Sequence, residues 1–267
     1  MDRVLPSVTA TAYLTALKEG GSLPGIVEAD DLGTYVVKFR AAGQGPKALV
    51  AEIVVGTLGR ALGLRVPAMA LIELDAEIGR REPDPEIQEL LVRSAGLNLA
   101  IDFLPGALGF DVGSPAARSR VDPGEAAAVL WLDSLTGNVD RTWRNPNLLM
   151  WHRQLWCIDH GAALRFHHAW GRSESFAASP FDWSQHVLRE LAAPLPPLAD
   201  GFAAAVRAEL DAALALAPDA WLAPDDLRPD AEAPGSADAA RAAYRDVLLA
   251  RLAAMPSWLP VVPGAAA

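Results

Sequence analysis

Along the first hundred residues, apolar positions recur at short spacing and predict a small sheet with one helix against it. Residues 9–17 are mixed apolar and Thr-rich, residues 25–28 read as a second strand, and Asp30-Asp31-Leu32-Gly33 between the next two runs is a turn signal. Thr34-Tyr35-Val36-Val37-Lys38-Phe39 is the best strand of the chain by β-propensity. Gly43-Gln44-Gly45-Pro46 then opens a helix with Pro46 in its first turn, where a missing N–H costs nothing. Leu49, Ile53, Leu58 and Leu62 fall near helical spacing, and Gly63 is the natural stop. Residues 66–74 and 97–103 read as further strands around a short helix that Asp84-Pro85 starts and that ends near Gly96.

Leu104-Pro105-Gly106 breaks the pattern and divides the chain into residues 1–104 and 105–267. Beyond the break, residues 123–135 are helical and closed by Gly137. The apolar runs 148–151 and 155–158, separated by His152-Arg153-Gln154, predict a compact hairpin. The remainder is Ala- and Leu-rich helix with proline-rich joints, and its last strong helical pattern covers residues 239–255.

Composition narrows the chemistry. Lys+Arg total 23 against Asp+Glu 33, a net charge of −10 with no basic run, so the electrostatic footprint of a nucleic-acid binder is missing. Cys157 is the single cysteine, which excludes an internal disulfide framework and a thiolate metal cluster. No apolar stretch approaches the roughly 18 residues that span a bilayer, and the expected setting is soluble and cytoplasmic, away from membrane. Only Lys18, Lys38 and Lys47 are lysines, so a lysine inside the apolar run 34–39 stands out. Of four asparagines, Asn138, Asn145 and Asn147 fall within ten residues.

Those asparagines mark the informative segment, Gly137-Asn138-Val139-Asp140-Arg141-Thr142-Trp143-Arg144-Asn145-Pro146-Asn147, which runs from a helix into the hairpin; the hairpin exits into Ile158-Asp159-His160-Gly161. An aspartate in a loop, an asparagine a few residues on and a second aspartate past a hairpin form a phosphotransfer constellation. The first aspartate takes or orients the proton of the attacking hydroxyl, and the asparagine and second aspartate hold Mg²⁺ on nucleotide phosphates. Amide and carboxylate oxygens suit that hard cation and not zinc.

On these residues the chain resembles the protein-kinase-like superfamily, and within it the HipA-like kinases. Asp140-Arg141 with Asn145 and Asn147 is similar to the catalytic loop, and Ile158-Asp159-His160-Gly161 to a variant of the Asp-Phe-Gly metal motif. The resemblance implies an α+β, two-lobed kinase-like fold: an N-lobe over residues 1–104 with a small antiparallel sheet and one main helix, and a mostly helical C-lobe over 105–267. It implies that Lys38 meets the α- and β-phosphates and that Glu52 on the following helix is its ion-pair partner. ATP is expected beneath Phe103-Leu104 as hinge, with Gly20-Gly21-Ser22 offering backbone N–H groups, although the spaced glycine pattern of that loop is absent. Asp140 is the expected catalytic aspartate, and Arg141 braces the loop or offsets transferred charge. Asp159 is one expected ligand of Mg²⁺ or Mn²⁺. For the other, a spacing of five from Asp140 selects Asn145, while the position directly before the apolar strand selects Asn147; Asn147 is preferred. The implied activity is transfer of the γ-phosphate to a hydroxyl, of a protein serine or threonine or of a small molecule. The alternative is a nucleotide-binding pseudokinase acting as an interaction module.

Overall fold

The computed structural model describes residues 4–17, 23–80, 82–223 and 232–259. They form two compact units, one within Met1–Leu49 and Pro67–Pro105, the other within Val50–Val66 and Gly106–Ala267.

In the first unit the strands are β1 (Ser7–Ala16), β2 (Gly25–Ala29), β3 (Thr34–Lys38), β4 (Met69–Leu74) and β5 (Gly96–Asp102), with helices α1 (Pro46–Ala61), which continues into the second unit, and α2 (Pro85–Arg93). The strand order is β1-β2-β3-β5-β4, and the sheet closes into a barrel. This corrects the expectation of a purely antiparallel sheet: β1 and β4 pair in parallel, through Ser7↔Leu71, Val8↔Ile72 and Thr9↔Glu73. The physical reason is the length of β1. Its register with β2 begins only at Ala10, and its start lies along β4 instead, where Leu71 N donates to Pro6 O at 2.8 Å. Irregular register between Ala10 and Ala12 and between Tyr13 and Thr15 bends β1 between its two neighbours.

Alternation fills the barrel. Val27, Ala29, Val37, Phe39, Ile72, Leu74 and Ala100 are buried in one cluster, joined by Ile87 and Leu91 of α2. Gly25 of β2 leaves room for two rings: a Cβ there would lie 2.7 Å from the Tyr13 ring and 2.9 Å from that of Phe39. The buried Asn98 is fully used, its Nδ2 donating to the carbonyls of Ser94 and Gly96 at 2.8 Å and its Oδ1 accepting from Arg40 N at 2.8 Å. Asp84 caps α2 by accepting from Glu86 N at 3.0 Å.

The second unit takes most of α1. Residues 49–59 of that helix are all buried, including Glu52 and Thr57, and Val50–Val66 goes with this unit although it lies in sequence among residues 1–104. Gly63, at φ +79°, ends the helical run. Beyond it Arg65 accepts from Cys157 N through its carbonyl at 2.8 Å, and its Nη1 meets Glu125 Oε1 at 2.6 Å.

The rest of the unit contains β6 (Leu108–Gly109), α3 (Pro115–Arg118), α4 (Pro123–Thr136), β7 (Leu148–Trp151), β8 (Gln154–Cys157), α5 (Ser173–Ala178), α6 (Pro196–Ala215), α7 (Asp219–Leu222), α8 (Ala237–Ala253) and α9 (Met255–Trp258). β6, β7 and β8 form a small sheet in that order. The two-residue turn of the β7–β8 hairpin, His152-Arg153, has φ +47° and +64°, the left-handed pair that matches strand twist. α4 is central: Asp122 caps it at Gly124 N and Glu125 N, residues 126–136 are buried, and α6, α8 and α9 pack on it. Its end is set by Gly137 at φ +69°, where a Cβ would come within 2.6 Å of the Phe176 ring.

The buried Arg251 of α8 secures that end. Its guanidinium donates to Ser134 O from Nη2 at 2.7 Å and to Ser179 O from Nη1 at 3.0 Å, between the rings of Phe176 and Trp258 at 4.3 and 5.0 Å. Burial brings this guanidinium down to about 10. Helix-end carbonyls and π-faces, rather than a carboxylate, balance its charge. Among the described residues no helix is long and apolar enough to cross a membrane.

Candidate active site

α4 delivers the chain into the asparagine-rich loop, and the loop is tied from its first residue. Asn138 N donates to Asp133 O at 2.9 Å, its Nδ2 to Asp133 Oδ1 at 3.2 Å, and its Oδ1 accepts from Asp140 N at 3.1 Å. Asp140 is thereby presented with its carboxylate toward both downstream asparagines: Oδ2 accepts from Asn145 Nδ2 at 2.9 Å and from Asn147 Nδ2 at 3.2 Å. No described residue donates to its Oδ1. Thr142 N bonds the carbonyls of Asp140 and Asn145, both at 3.0 Å, which holds the turn between them.

The hairpin register then sets the second aspartate. Leu148 pairs with Cys157, and Ile158 N donates to Asn147 O at 3.1 Å, so Asn147 enters the hairpin directly opposite the point where Asp159 leaves it. Asn147 and Asp159 have φ of +48° and +57°, a left-handed backbone that asparagine and aspartate tolerate best after glycine. Asn145 is exposed, and Asn147 is half-buried.

Beneath this loop lies a buried ionic network. Arg141, 1% exposed, donates from Nε to Asp133 Oδ2 at 2.6 Å and from Nη1 to the carbonyls of Asn147 and, at 3.3 Å, Ile158; its Nη2 stands 3.3 Å from His160 Nδ1. His186 Nε2 also reaches Asp133 Oδ2, at 3.0 Å. Burial alone pushes the Asp133 carboxyl up, but Arg141 and His186 outweigh it and hold it below the ordinary carboxylate range. Of the two sequence readings of Arg141, its burial and partners are those of a brace for the loop.

Glu52 completes the frame. Its Oε2 accepts from His160 N at 2.9 Å and its Oε1 from Gly161 N at 2.8 Å, so successive amides of the Asp159-His160-Gly161 turn converge on one carboxylate. The sequence suggested Glu52 as a partner for Lys38; these two amide bonds are a further task that spacing gave no hint of. Lys38 itself is on β3, paired with Leu99 of β5, in the first unit. Phe103 and Leu104 follow β5 in the same unit, Phe103 N donating to Thr34 O at 3.1 Å and Leu104 buried. Gly20, Gly21 and Ser22 lie outside the described residues.

Asp133 and His186 were missed in the sequence. A lone acid inside the apolar run of α4 was the available signal for Asp133; His186, in a loop without a motif, gave none. Cys157 is buried in β8, and burial pushes its thiol up to about 12, as befits a core residue. His167 is buried within the 3₁₀ turn Arg165–His168, its Nδ1 2.8 Å from the Tyr244 hydroxyl. Among the described residues no cluster of three or more His, Cys, Asp or Glu side chains is placed to hold a metal. The oxygen donors available are amides of Asn145 and Asn147 and the Asp159 carboxylate, a hard set that fits Mg²⁺ or Mn²⁺. The amide nitrogens turn to Asp140, which leaves the amide oxygens to serve as ligands.

The model of the HipA-like kinase family matches residues 12–241, and the chain belongs to that family. Comparison with curated proteins finds no match. Among solved structures the chain is similar to the Golgi casein kinase with Mn/ADP bound, at 13% identity and a TM-score of 0.46, over 95% of this chain and 74% of that one. It is likewise similar to the Helicobacter pylori proinflammatory kinase CtkA, at 10% identity and a TM-score of 0.46, over 94% of this chain and 98% of that one.

Proposed function

We propose that the chain is a metal-dependent phosphotransferase that moves the γ-phosphate of ATP to a hydroxyl, with a protein serine or threonine as acceptor. The observation that carries the reading is the joint placement of Asp140, Asn147 and Asp159: one carboxylate fixed by two asparagine amides, at the mouth of a hairpin whose register sets Asn147 beside the exit toward Asp159. In this reading Asp140 Oδ1, which receives no donor from a described residue, orients the acceptor hydroxyl and takes its proton as the new P–O bond forms and ADP leaves. Asn147 and Asp159 would hold Mg²⁺ or Mn²⁺, with Asn145 the second choice for the amide. The ion neutralises phosphate charge when bound. Lys38 meets the α- and β-phosphates, Phe103-Leu104 serves as hinge, and residues 1–104 and 105–267 work as one kinase-like domain. Glu52 supports the site through the Asp159-His160-Gly161 turn.

The test is thermal stabilisation by ATP with Mg²⁺, followed by transfer of labelled γ-phosphate to protein and small-molecule hydroxyls. Stabilisation and transfer are expected together. Stabilisation without transfer or hydrolysis would instead make the chain a nucleotide-binding pseudokinase, and neither would remove the nucleotide from the reading.

A further inference from the structure

Residues 183–188 carry no motif and no regular element, yet they run beside residues 141–143 of the asparagine-rich loop. Thr142 and His186 form an isolated antiparallel bridge, Val187 N donates to Arg141 O at 3.2 Å, and Trp143 N donates to Gln185 O at 3.3 Å. The Trp143 indole adds a bond from Nε1 to Gln185 Oε1 at 3.0 Å. His186 is 5% exposed and spans two polar neighbours: Nε2 faces Asp133 Oδ2 at 3.0 Å, and Nδ1 accepts from Leu188 N at 3.2 Å. An ionised carboxylate only accepts and a backbone N–H only donates, so Nε2 is the donor to Asp133 and Nδ1 the acceptor from Leu188.

Asp133 is the node where this segment meets the proposed chemistry. It receives Arg141 Nε, His186 Nε2 and Asn138 Nδ2. Asn138 in turn holds Asp140 N, and Arg141 holds the carbonyls of Asn147 and Ile158, on either side of the hairpin mouth. A displacement of the Asp133 carboxylate is therefore passed to Asp140 by one route and to Asn147 and the Ile158-Asp159 peptide by another.

We infer that His186 and Asp133 are positioning residues of the phosphotransfer site: the His186 N–H fixes the Asp133 carboxylate, and that carboxylate sets Asp140, Asn147 and Asp159 relative to one another. The catalytic part of this inference rests on the function proposed above; the positioning part does not. Loss of the His186 N–H leaves Asp133 one donor short in a buried site, and Arg141 then moves to share its charge differently. Misplacement of reacting groups by about 1 Å costs on the order of 10²-fold in rate.

The experiment compares His186→Leu, which removes both ring nitrogens, with His186→Gln, whose amide offers a donor and an acceptor at similar reach. Amide hydrogen exchange is followed in the intact chain, together with Mg²⁺-ATP affinity and single-turnover transfer. In His186→Leu, exchange is expected to quicken in residues 138–147 and 157–161 and to stay unchanged in α6 and α8. Transfer is expected to fall by about 10²-fold, and the Mg²⁺ concentration needed for ATP binding to rise, because Asn147 and Asp159 shift with the loop. His186→Gln is expected to restore both loop protection and rate. Unchanged loop exchange in His186→Leu, a uniform loss of protection throughout the second unit, or failure of His186→Gln to rescue would each overturn the inference. If the parent chain transfers no phosphate, the functional reading fails, and the exchange data still decide whether His186 positions the loop.

Discussion

The Glu52 carboxylate receives the backbone N–H of His160 at 2.9 Å and that of Gly161 at 2.8 Å, so a side chain of α1 shapes the turn that follows Asp159. A left-handed residue followed by two amides pointing the same way needs an anion in front of them, and Glu52 is that anion. Glu52→Ala leaves two inward-facing donors without this acceptor, each worth about 1–3 kcal/mol. Glu52→Gln turns an NH₂ group toward one of them. Both variants are expected to lower the urea midpoint, with the glutamine no better than halfway to the parent.

Metal dependence separates the two asparagines. Stabilisation by ATP is expected to need Mg²⁺ or Mn²⁺ and to be lost in Asp159→Asn, because the ligands are oxygen donors. Asn147→Ala is expected to raise the Mg²⁺ concentration needed far more than Asn145→Ala, since Asn147 is the residue bound into the hairpin opposite Ile158. A thermal-shift titration with Mg²⁺ on the three variants reads this out; the reverse order of the asparagines would transfer the ligand to Asn145.

At Asp140, chemistry and binding come apart. Asp140→Asn keeps the size of the side chain and removes the base, so Mg²⁺-ATP affinity is expected near that of the parent while single-turnover transfer slows by roughly 10²–10⁴-fold. Affinity and turnover lost together would mean that the carboxylate serves as an anchor for Asn145 and Asn147 instead.

Lys38→Arg tests the strand lysine. The charge is kept and the compact ammonium is replaced by a planar fork. The fold is expected to survive, by circular dichroism and melting, and phosphate transfer to drop steeply. Full activity would leave Lys38 a solvated strand residue.

The acid limb of stability reports on Asp133. Its folded carboxyl lies below the ordinary 3.8, so its contribution is complete above that pH and is lost as pH falls toward the lower folded value. Asp133→Asn is expected to be less stable at neutral pH and to have a flatter decline below pH 3.8, measured by chemical denaturation across that range. A decline as steep as that of the parent would place the acid sensitivity on other carboxylates.

Much of this arrangement was legible wherever the signal is local. Pro46 and Gly63 bracket the run of α1, Pro123 and Gly137 bracket α4, and the apolar pairs around His152-Arg153 read as a hairpin. The grouping of Asp140, Asn145 and Asn147 was equally visible, because one loop carries all three. What escaped depends on partners distant in sequence. The parallel pairing of Ser7–Thr9 with Leu71–Glu73 closes the barrel without any mark in either strand. His186 meets Asp133 across 53 positions, and Glu52 meets Gly161 across 109. A single sequence records which side chains are polar, but not which of them share a burial site.

Arg251 carries a consequence for the order in which the molecule is finished. Its guanidinium closes on the Ser134 carbonyl from 117 positions downstream, so the last turn of α4, from which the loop of Asp140 departs, lacks that donor until α8 has been synthesised. A nascent chain halted before that helix carries every residue of the proposed chemistry and lacks the clamp beneath them. On the ribosome the end of α4 therefore gains the Arg251 contacts only after every residue of the asparagine-rich loop has been made.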